Sequence, residues 1–424
     1  MKRFMDFVEK SIAPIIEKIG QNVWIGATQE AILAAVPATL VGSVATLVGV
    51  FRGFGLTFLP DLTELSNFSF GLFGLFLAYE LPCIIMEKKR QRRVARQAGL
   101  AGLGLFLLLV FPHYDEAGNL VLATANLGAG GMLNALVSGY ITAIVFNIFA
   151  KFAFFKNNTS LPPFIVTWFN SIIPWTLCLL FGIVLTFGLK FDLIESIRAL
   201  IMPISTFSQS FGGFLLVVVM VLFMYSFGIS AWILYPLMSL IWMEGQNANL
   251  ALVAQGLPAT NLHTYEIFQM CFIGGQGATL ALCCFMAFLA KSKRLKTVGR
   301  AAIIPSIFNI NEPVVYGAPV AFNPVLMVPF WIAGLANCLI VWFTFALGLI
   351  AVPVEPFRVT MPSILYAPLA TGNIIGGLLL HIVCFAATAL IYYPFFRVYD
   401  KQCKLEDEKA AAKAAKGDIA AQEV

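Results

Sequence analysis

The stretch IPSIFNINEPVVYGAPVAFNPVLMVPF, Ile304 to Phe330, carries Asn309, Asn311 and Glu312 inside a long apolar run. An acid at the centre of a membrane-spanning helix costs about 2.5–3.5 kcal/mol, so Glu312 needs a physical reason. Two chemistries fit. In one, Glu312 sits at a helix end near the cytoplasmic face and caps backbone N–H groups. In the other, Asn309, Asn311 and Glu312 face a ligand from an interrupted hairpin. An asparagine offers a donor and an acceptor, and a carboxylate accepts two hydroxyl protons; together they match the dense hydroxyls of a sugar. Pro305, Pro313 and Pro319 prevent continuous helix around them and free carbonyls for the same use.

Composition sets the medium in which this chemistry takes place. Hydrophobic residues are 59% of the 424-residue chain and charged residues 12%, with a mean hydropathy of +0.86. So few charges cannot cover a water-soluble core of that size, so lipid is the solvent for much of the chain. The N-terminus MKRFMDFVEK lacks the apolar core of a cleavable signal peptide. The eight cysteines show no paired spacing, and seven lie in or beside apolar runs while Cys403 sits in a charged tail. They read as packing residues, so neither a disulfide framework nor a metal site is expected, and no cofactor is implied. The net charge of +5 does not point to nucleic acid, because the basic residues are gathered in loops.

The expected fold class is an all-α integral membrane protein of about ten transmembrane helices, with re-entrant hairpins and interfacial amphipathic helices. Apolar runs of spanning character are read at roughly Ala31–Phe51, Phe68–Met86, Ala98–Phe111, Met132–Phe152 and Ile165–Leu189. Five more follow at roughly Phe211–Phe227, Ile229–Met243, Ile267–Ala290, Val325–Ile350 and Ile374–Phe396. The basic blocks Lys88–Arg96 and Lys291–Arg300 orient them, because short basic loops stay in the cytoplasm. Two spans precede the first block and eight the second, so a multi-pass protein with both termini on the cytoplasmic side is expected. The loop HYDEAGN, which has acids and no Lys or Arg, falls outside.

Two segments read as lying on the membrane. Phe4, Phe7, Val8, Ile12, Ile15, Ile16 and Ile19 repeat at helical spacing, bent at Pro14, and Asp192–Pro203 shows the same mixture of apolar and charged residues. Residues up to about 190 carry small-residue pairs such as Gly71/Gly74 and Gly131/Ala135/Gly139, which suit close helix contact. The second half is broken by GQNANLALVAQGLPATNLHTYE, IPSIFNINEP and VEPFRVTMPS. Irregular backbone at membrane depth survives only where protein buries it or it lines a watery cavity. The expected division is therefore an interfacial helix over 1–25, a scaffold and dimerisation half over 26–190 and an amphipathic linker over 191–209. A sugar-binding transport half over 210–398 and a polar, dispensable cytoplasmic tail over 399–424 complete it.

FNINEPVVYGAPVAFNP, preceded by GGQGATLAL and SKRLKTVGR, resembles enzyme IIC, the membrane subunit of the lactose/cellobiose/diacetylchitobiose family of phosphotransferase-system sugar transporters. The similarity runs from APIIEKIGQNVW and VPATLVGS to the last helix. The resemblance implies a homodimer joined through its N-terminal helices, with the sugar held by C-terminal helices and hairpins. It implies a separate cytoplasmic IIB protein, phosphorylated on cysteine and fed in turn by IIA, that passes phosphate to the sugar's C6 hydroxyl. The glutamate of NEP, Glu312 here, is implied to bind that hydroxyl and to take its proton as a general base. Family members carry GIHG upstream; this chain reads FGISAW, so Ser230 stands where the histidine belongs. Serine hydrogen-bonds a hydroxyl but brings no positive charge to an incoming phosphoryl group, and phosphoryl transfer relies on such charge. A phosphorylating permease and a non-phosphorylating sugar facilitator or receptor both remain open at this point.

Other candidates are weaker. His263, in the loop with Asn261, Thr264 and Glu266, either enters the sugar cavity in place of the missing imidazole or packs at an interface. Asn249, with Asn247 and Gln255, lies in a region that lines the cavity in the family, or is an ordinary polar stretch. Glu80 is expected to pair with a nearby basic residue and Glu355 with Arg358, while Trp232, Trp242 and Trp331 are possible stacking surfaces for a sugar. The short polar tail holds no IIB or IIA module, so a separate partner is expected, and the basic blocks contact either that partner or lipid headgroups.

Overall fold

The computed structural model describes residues 22–53, 56, 58–152, 162–229, 234–318, 320–321, 323–357 and 361–422. The principal helices of the first part are α1 (Val23–Gly53), α2 (Phe73–Lys88), α3 (Arg92–Leu109), α4 (Met132–Phe149), α5 (Pro163–Ile183) and α6 (Leu193–Ser208). Then come α7 (Phe211–Ser226), α8 (Tyr235–Ala254), α9 (Tyr265–Cys271), α10 (Leu280–Cys284) and α11 (Lys293–Ile307). The last are α12 (Glu312–Gly317), α13 (Pro324–Ala346), α14 (Ser363–Thr371) and α15 (Ile374–Gln422). Between α3 and α4 the antiparallel strands β1 (His113–Tyr114) and β2 (Leu120–Val121) place His113 opposite Val121. The amphipathic repeat at the N-terminus, Ser230, Trp232, Pro319 and Arg358 lie outside the described residues.

Five helices among the described residues are long and apolar enough to cross a membrane, and α6 with α7 taken as one broken span would make six. The described residues thus hold fewer such helices than the ten runs expected from sequence, and the eighth run shows one reason. Ile267–Ala290 reads as one apolar run, yet α9 stops at Cys271 and α10 starts at Leu280. Between them Gly274, Gly275, Gly277 and Ala278 all adopt positive φ, at 81°, 93°, 76° and 53°. Three of the four are glycines, which reach that region without steric penalty.

The chain divides into two compact units: of the described residues, one holds 22–206 and 234–244, the other 207–229 and 245–422. In the first, Leu77, Leu81 and Ile85 of α2, Phe106 of α3, Met132 and Ala135 of α4 and Ile32 of α1 form one buried cluster. Small residues let these helices approach closely. A Cβ on Gly102 would lie 2.6 Å from the Ala78 carbonyl oxygen, and one on Gly139 would lie 2.8 Å from Leu81 Cδ2. Such contacts hold helices together where lipid removes the hydrophobic drive. Polar side chains serve the open end of α3: Asn134 Nδ2 donates to the Leu109 carbonyl at 2.9 Å and Thr186 Oγ1 to that of Leu108 at 2.8 Å. Lys88 pairs with Glu30 at 2.6 Å and Arg198 with Glu244 at 2.9 Å. Glu80 makes no ion pair among the described residues.

The other unit is held at one end by its own C-terminal helix. α15 runs on past its apolar part, and the buried Asp400 accepts from the Lys291 and Ser292 N–H groups, both at 2.9 Å. One turn pair further on, Asp407 Oδ2 accepts from Ser292 Oγ at 2.7 Å and from the Lys293 N–H at 2.9 Å. Two carboxylates thus take up the unsatisfied N–H groups and the positive dipole end of α11. The first turns of the expected dispensable tail are therefore structural. Asp400→Ala should lower stability by about 1.5–3 kcal/mol, the range for hydrogen bonds to a charged group. Thermal unfolding of the purified chain measures it. Removing residues from 410 onward should leave the melting temperature unchanged.

Candidate functional site

The Gly-rich turn between α9 and α10 and the turn between α11 and α12 interlock within the second unit. Asn309 adopts a left-handed φ of 62°, a conformation asparagine tolerates better than most residues. Its Oδ1 accepts from the Gly274 N–H at 2.7 Å. Asn311, 1% exposed, donates through Nδ2 to the Gln276 carbonyl at 2.6 Å and to Thr279 Oγ1 at 3.1 Å. Thr279 Oγ1 in turn donates to the Gly274 carbonyl at 2.7 Å, and the buried Tyr392 hydroxyl donates to the Gly277 carbonyl at 2.7 Å. Each of these peptide groups in the buried, irregular turn would otherwise lack a partner, a cost of about 1–3 kcal/mol apiece.

Two glycines have no substitute here. A Cβ on Gly275 would fall 2.4 Å from Asn311 Cγ, and one on Gly277 would fall 2.2 Å from the Phe330 ring. Both backbones also have positive φ. The amide groups of Asn309 and Asn311 are thus engaged mainly in building a platform, which the sequence did not predict.

Glu312 begins α12 immediately beyond that platform, with Pro313 beside it in the first turn, where a missing N–H is harmless. It is half-buried, and its Oε1 accepts from the Tyr225 hydroxyl at 3.2 Å. One turn on, the exposed Tyr316 hydroxyl donates to the Gly228 carbonyl at 3.4 Å. Tyr225 lies at the end of α7, which closes with the Gly228 N–H on the Tyr225 carbonyl and the Ile229 N–H on that of Met224, both at 3.0 Å. Gly228 supplies the left-handed residue (φ 76°) this ending requires. The Trp331 indole donates to Ser226 Oγ, and its ring lies 6.3 Å from Phe223 in a stacked arrangement. A carboxylate, two phenols and an indole therefore meet at the end of α7. This set can accept hydroxyl protons, donate to hydroxyl oxygens and cover an apolar ring face.

The remaining sequence candidates are placed elsewhere. Asn249 is fully buried and both ends of its amide are engaged: Oδ1 accepts from the N–H groups of Thr260 and Asn261 at 3.1 and 2.9 Å, and Nδ2 donates to the Asn261 carbonyl at 2.8 Å. It pins the loop after α8. His263 is sealed among aromatic rings, edge-on to Phe214 at 5.1 Å and 5.8 Å from Phe268. Its backbone is bracketed by Gln209, which accepts from its N–H at 2.8 Å and donates to its carbonyl at 3.2 Å. His263 is thus packed within the second unit. Glu266, fully buried, accepts from Gln246 at 3.3 Å and from the Phe357 N–H at 2.9 Å, fastening the loop after α13. Sequence reasoning missed Tyr225 and Tyr316. The available signals were the hydroxyl in MYSFGIS, three residues before Gly228, and helical spacing of Tyr316 from Glu312.

Residues 29–334 match the family described as Phosphotransferase system, EIIC. The chain belongs to this family. Among its EIIC relatives, it is 29% identical over 440 residues to the Putative permease IIC component YwbA of Bacillus subtilis, covering 97% of this chain and 98% of that one. It is also 29% identical over 440 residues to the PTS system cellobiose-specific EIIC component of Geobacillus stearothermophilus, covering 96% and 97%. With the PTS system lactose-specific EIICB component of Staphylococcus haemolyticus it shares 29% identity over 433 residues, 96% of this chain and 72% of the relative. Its fold matches the crystal structure of the transporter ChbC, the IIC component from the N,N'-diacetylchitobiose-specific phosphotransferase system. That match has a TM-score of 0.73 and 27% identity over 95% of this chain and 99% of the other.

The platform makes a direct prediction for this EIIC protein. Asn311→Asp keeps shape but turns the donor facing the Gln276 carbonyl into an acceptor. It should destabilise the protein by about 2–4 kcal/mol, whereas Asn247→Asp, at an exposed position on α8, should be neutral; thermal unfolding in detergent compares the two.

Proposed function

We propose that the chain is a phosphotransferase-system permease subunit that moves an oligosaccharide or β-glucoside, of the cellobiose, chitobiose or lactose type, into a bacterial cell. The sugar class is supported by the relatives named for cellobiose and lactose and by the match to a diacetylchitobiose transporter. The observation that carries the reading at residue level is Glu312, half-buried beside the Tyr225 hydroxyl at 3.2 Å and held at the start of α12 by the platform. In this reading Glu312 accepts the C6 hydroxyl of the sugar. Tyr225 orients the carboxylate, and the half-buried Asn309 offers its NH2 group to a neighbouring hydroxyl. Asn311 acts through the backbone it holds.

Phosphoryl transfer then comes from a cytoplasmic IIB protein carrying phosphocysteine and supplied by IIA. The S–P bond breaks as the C6 oxygen forms a new O–P bond, and the hydroxyl proton passes to the Glu312 carboxylate. The EIICB relatives, whose printed names join a C and a B component, support a IIB partner. A homodimer with both termini in the cytoplasm, joined through residues 26–190, completes the proposal. The second unit would act as the sugar-carrying half.

Membrane vesicles containing the protein, phosphorylated IIB and radiolabelled cellobiose test this. Wild type should yield phosphorylated sugar on the IIB side, and Glu312→Gln should reduce it by about 100-fold or more, the scale of a lost general base. Tyr225→Phe should cost about 10-fold. Free sugar crossing at the same rate without IIB would replace this reading with a facilitator. Full phosphorylation in Glu312→Gln would remove Glu312 from the reaction.

A further inference from the structure

Where α2 ends and α3 begins, a cavity of about 570 Å³ opens between these helices, α4 and α5. Arg90, Arg92 and Arg93 line it, with Glu87 as the one carboxylate on its wall. The two lysines of the same basic block are engaged elsewhere: Lys88 pairs with Glu30 at 2.6 Å, and the Lys89 ammonium lies 5.5 Å from the centre of the Trp24 ring. Among the described residues, no carboxylate comes within ion-pair distance of the three arginines. Cations gathered in one cavity repel one another, and an anion relieves that repulsion.

Three further observations point the same way. Arg90 holds a left-handed backbone, φ 61°, at the helix-ending position that glycine normally fills. Its N–H bonds the Glu87 carbonyl at 2.9 Å and the next N–H, of Gln91, bonds that of Met86 at 2.8 Å. α3 starts with no side-chain cap and no acid in its first turn, so its dipole end faces the cavity uncompensated. Gln91 donates to Asn147 at 3.3 Å, but its Oε1 is buried and has no hydrogen-bond partner among the described residues. The site thus offers charged donors for a phosphate and one acceptor for a hydroxyl.

The other walls are apolar. Val94, Phe146, Val166 and Pro174 line the cavity. α5, which supplies two of them, is long and apolar enough to cross a membrane and turns Trp168, Phe169 and Ile172 outward, each more than half exposed. A phosphate-bearing anion with attached hydrocarbon fits this combination. We propose that the cavity binds the headgroup of an anionic phospholipid whose headgroup carries a free hydroxyl, as phosphatidylglycerol does. The phosphate sits on Arg90, Arg92 and Arg93, the hydroxyl donates to Gln91 Oε1, and the acyl chains leave along α5.

Native mass spectrometry of the full chain in detergent, with added phosphatidylglycerol, phosphatidylcholine or sn-glycerol 3-phosphate, tests this. Phosphatidylglycerol should bind at least about 10-fold better than phosphatidylcholine, and the triple variant R90Q/R92Q/R93Q should lose about 100-fold, near 5-fold per arginine. The charge-matched control K291Q/K296Q/R300Q should retain binding. Arg90→Gly keeps the fold readout independent: without lipid it should melt no lower than wild type, but gain less on adding phosphatidylglycerol. Equal losses in the two triple variants, or no preference over phosphatidylcholine, would overturn the site. Glycerol phosphate binding as tightly as the lipid would overturn the lipid in favour of a free phosphate compound.

Discussion

A peptide group without water or a partner is the constraint on which the site depends. The turn from Phe272 to Thr279 is not helical, and it sits within a run whose apolarity excludes water. Its carbonyls are met by Thr279, Tyr392 and Asn311, and its Gly274 N–H by Asn309. These bonds tie one turn to another 35 residues away in sequence. α12 therefore starts from a fixed point, and Glu312 is aimed rather than merely exposed. The Tyr225 phenol donates to the acid at 3.2 Å.

Glu312 stood out in the sequence because it violated its surroundings: an acid between asparagines and a proline inside an apolar run. The role of the asparagines was not legible, since a ligand and a backbone carbonyl ask the same donor of an amide. GGQGAT held the clue to the broken eighth run, because three glycines in four residues have little use in a spanning helix. Hydrophobicity alone outweighed that clue over Ile267–Ala290. Asn249 and His263 drew attention as polar residues in a loop, yet one braces that loop and the other packs against Phe214 and Phe268. Tyr225 was hidden for the opposite reason, as one aromatic residue among many in an apolar helix.

The two basic blocks read alike in sequence, and the fold separates them. In the second, Asp400 and Asp407 take the backbone N–H groups of Lys291 to Lys293, and Arg294 reaches Glu406 at 3.5 Å and Cys403 Sγ at 3.2 Å. Its backbone and its Arg294 side chain are thus tied to α15. In the first, the lysines are answered by Glu30 and Trp24, and the arginines are left to the cavity. Charge patterning orients a membrane protein, but only the partners of each cation show what else it does.

The central claim is that Glu312 makes a direct bond to one sugar hydroxyl. A calorimetric cycle tests it: cellobiose and its analogue lacking the C6 hydroxyl on the accepting ring, each titrated into wild type and Glu312→Gln in the same detergent. If the bond exists, removing the hydroxyl should weaken binding to wild type by about 10-fold or more and should have little effect on Glu312→Gln. Equal losses in both proteins would show that the hydroxyl and the carboxylate do not meet, and would contradict the account.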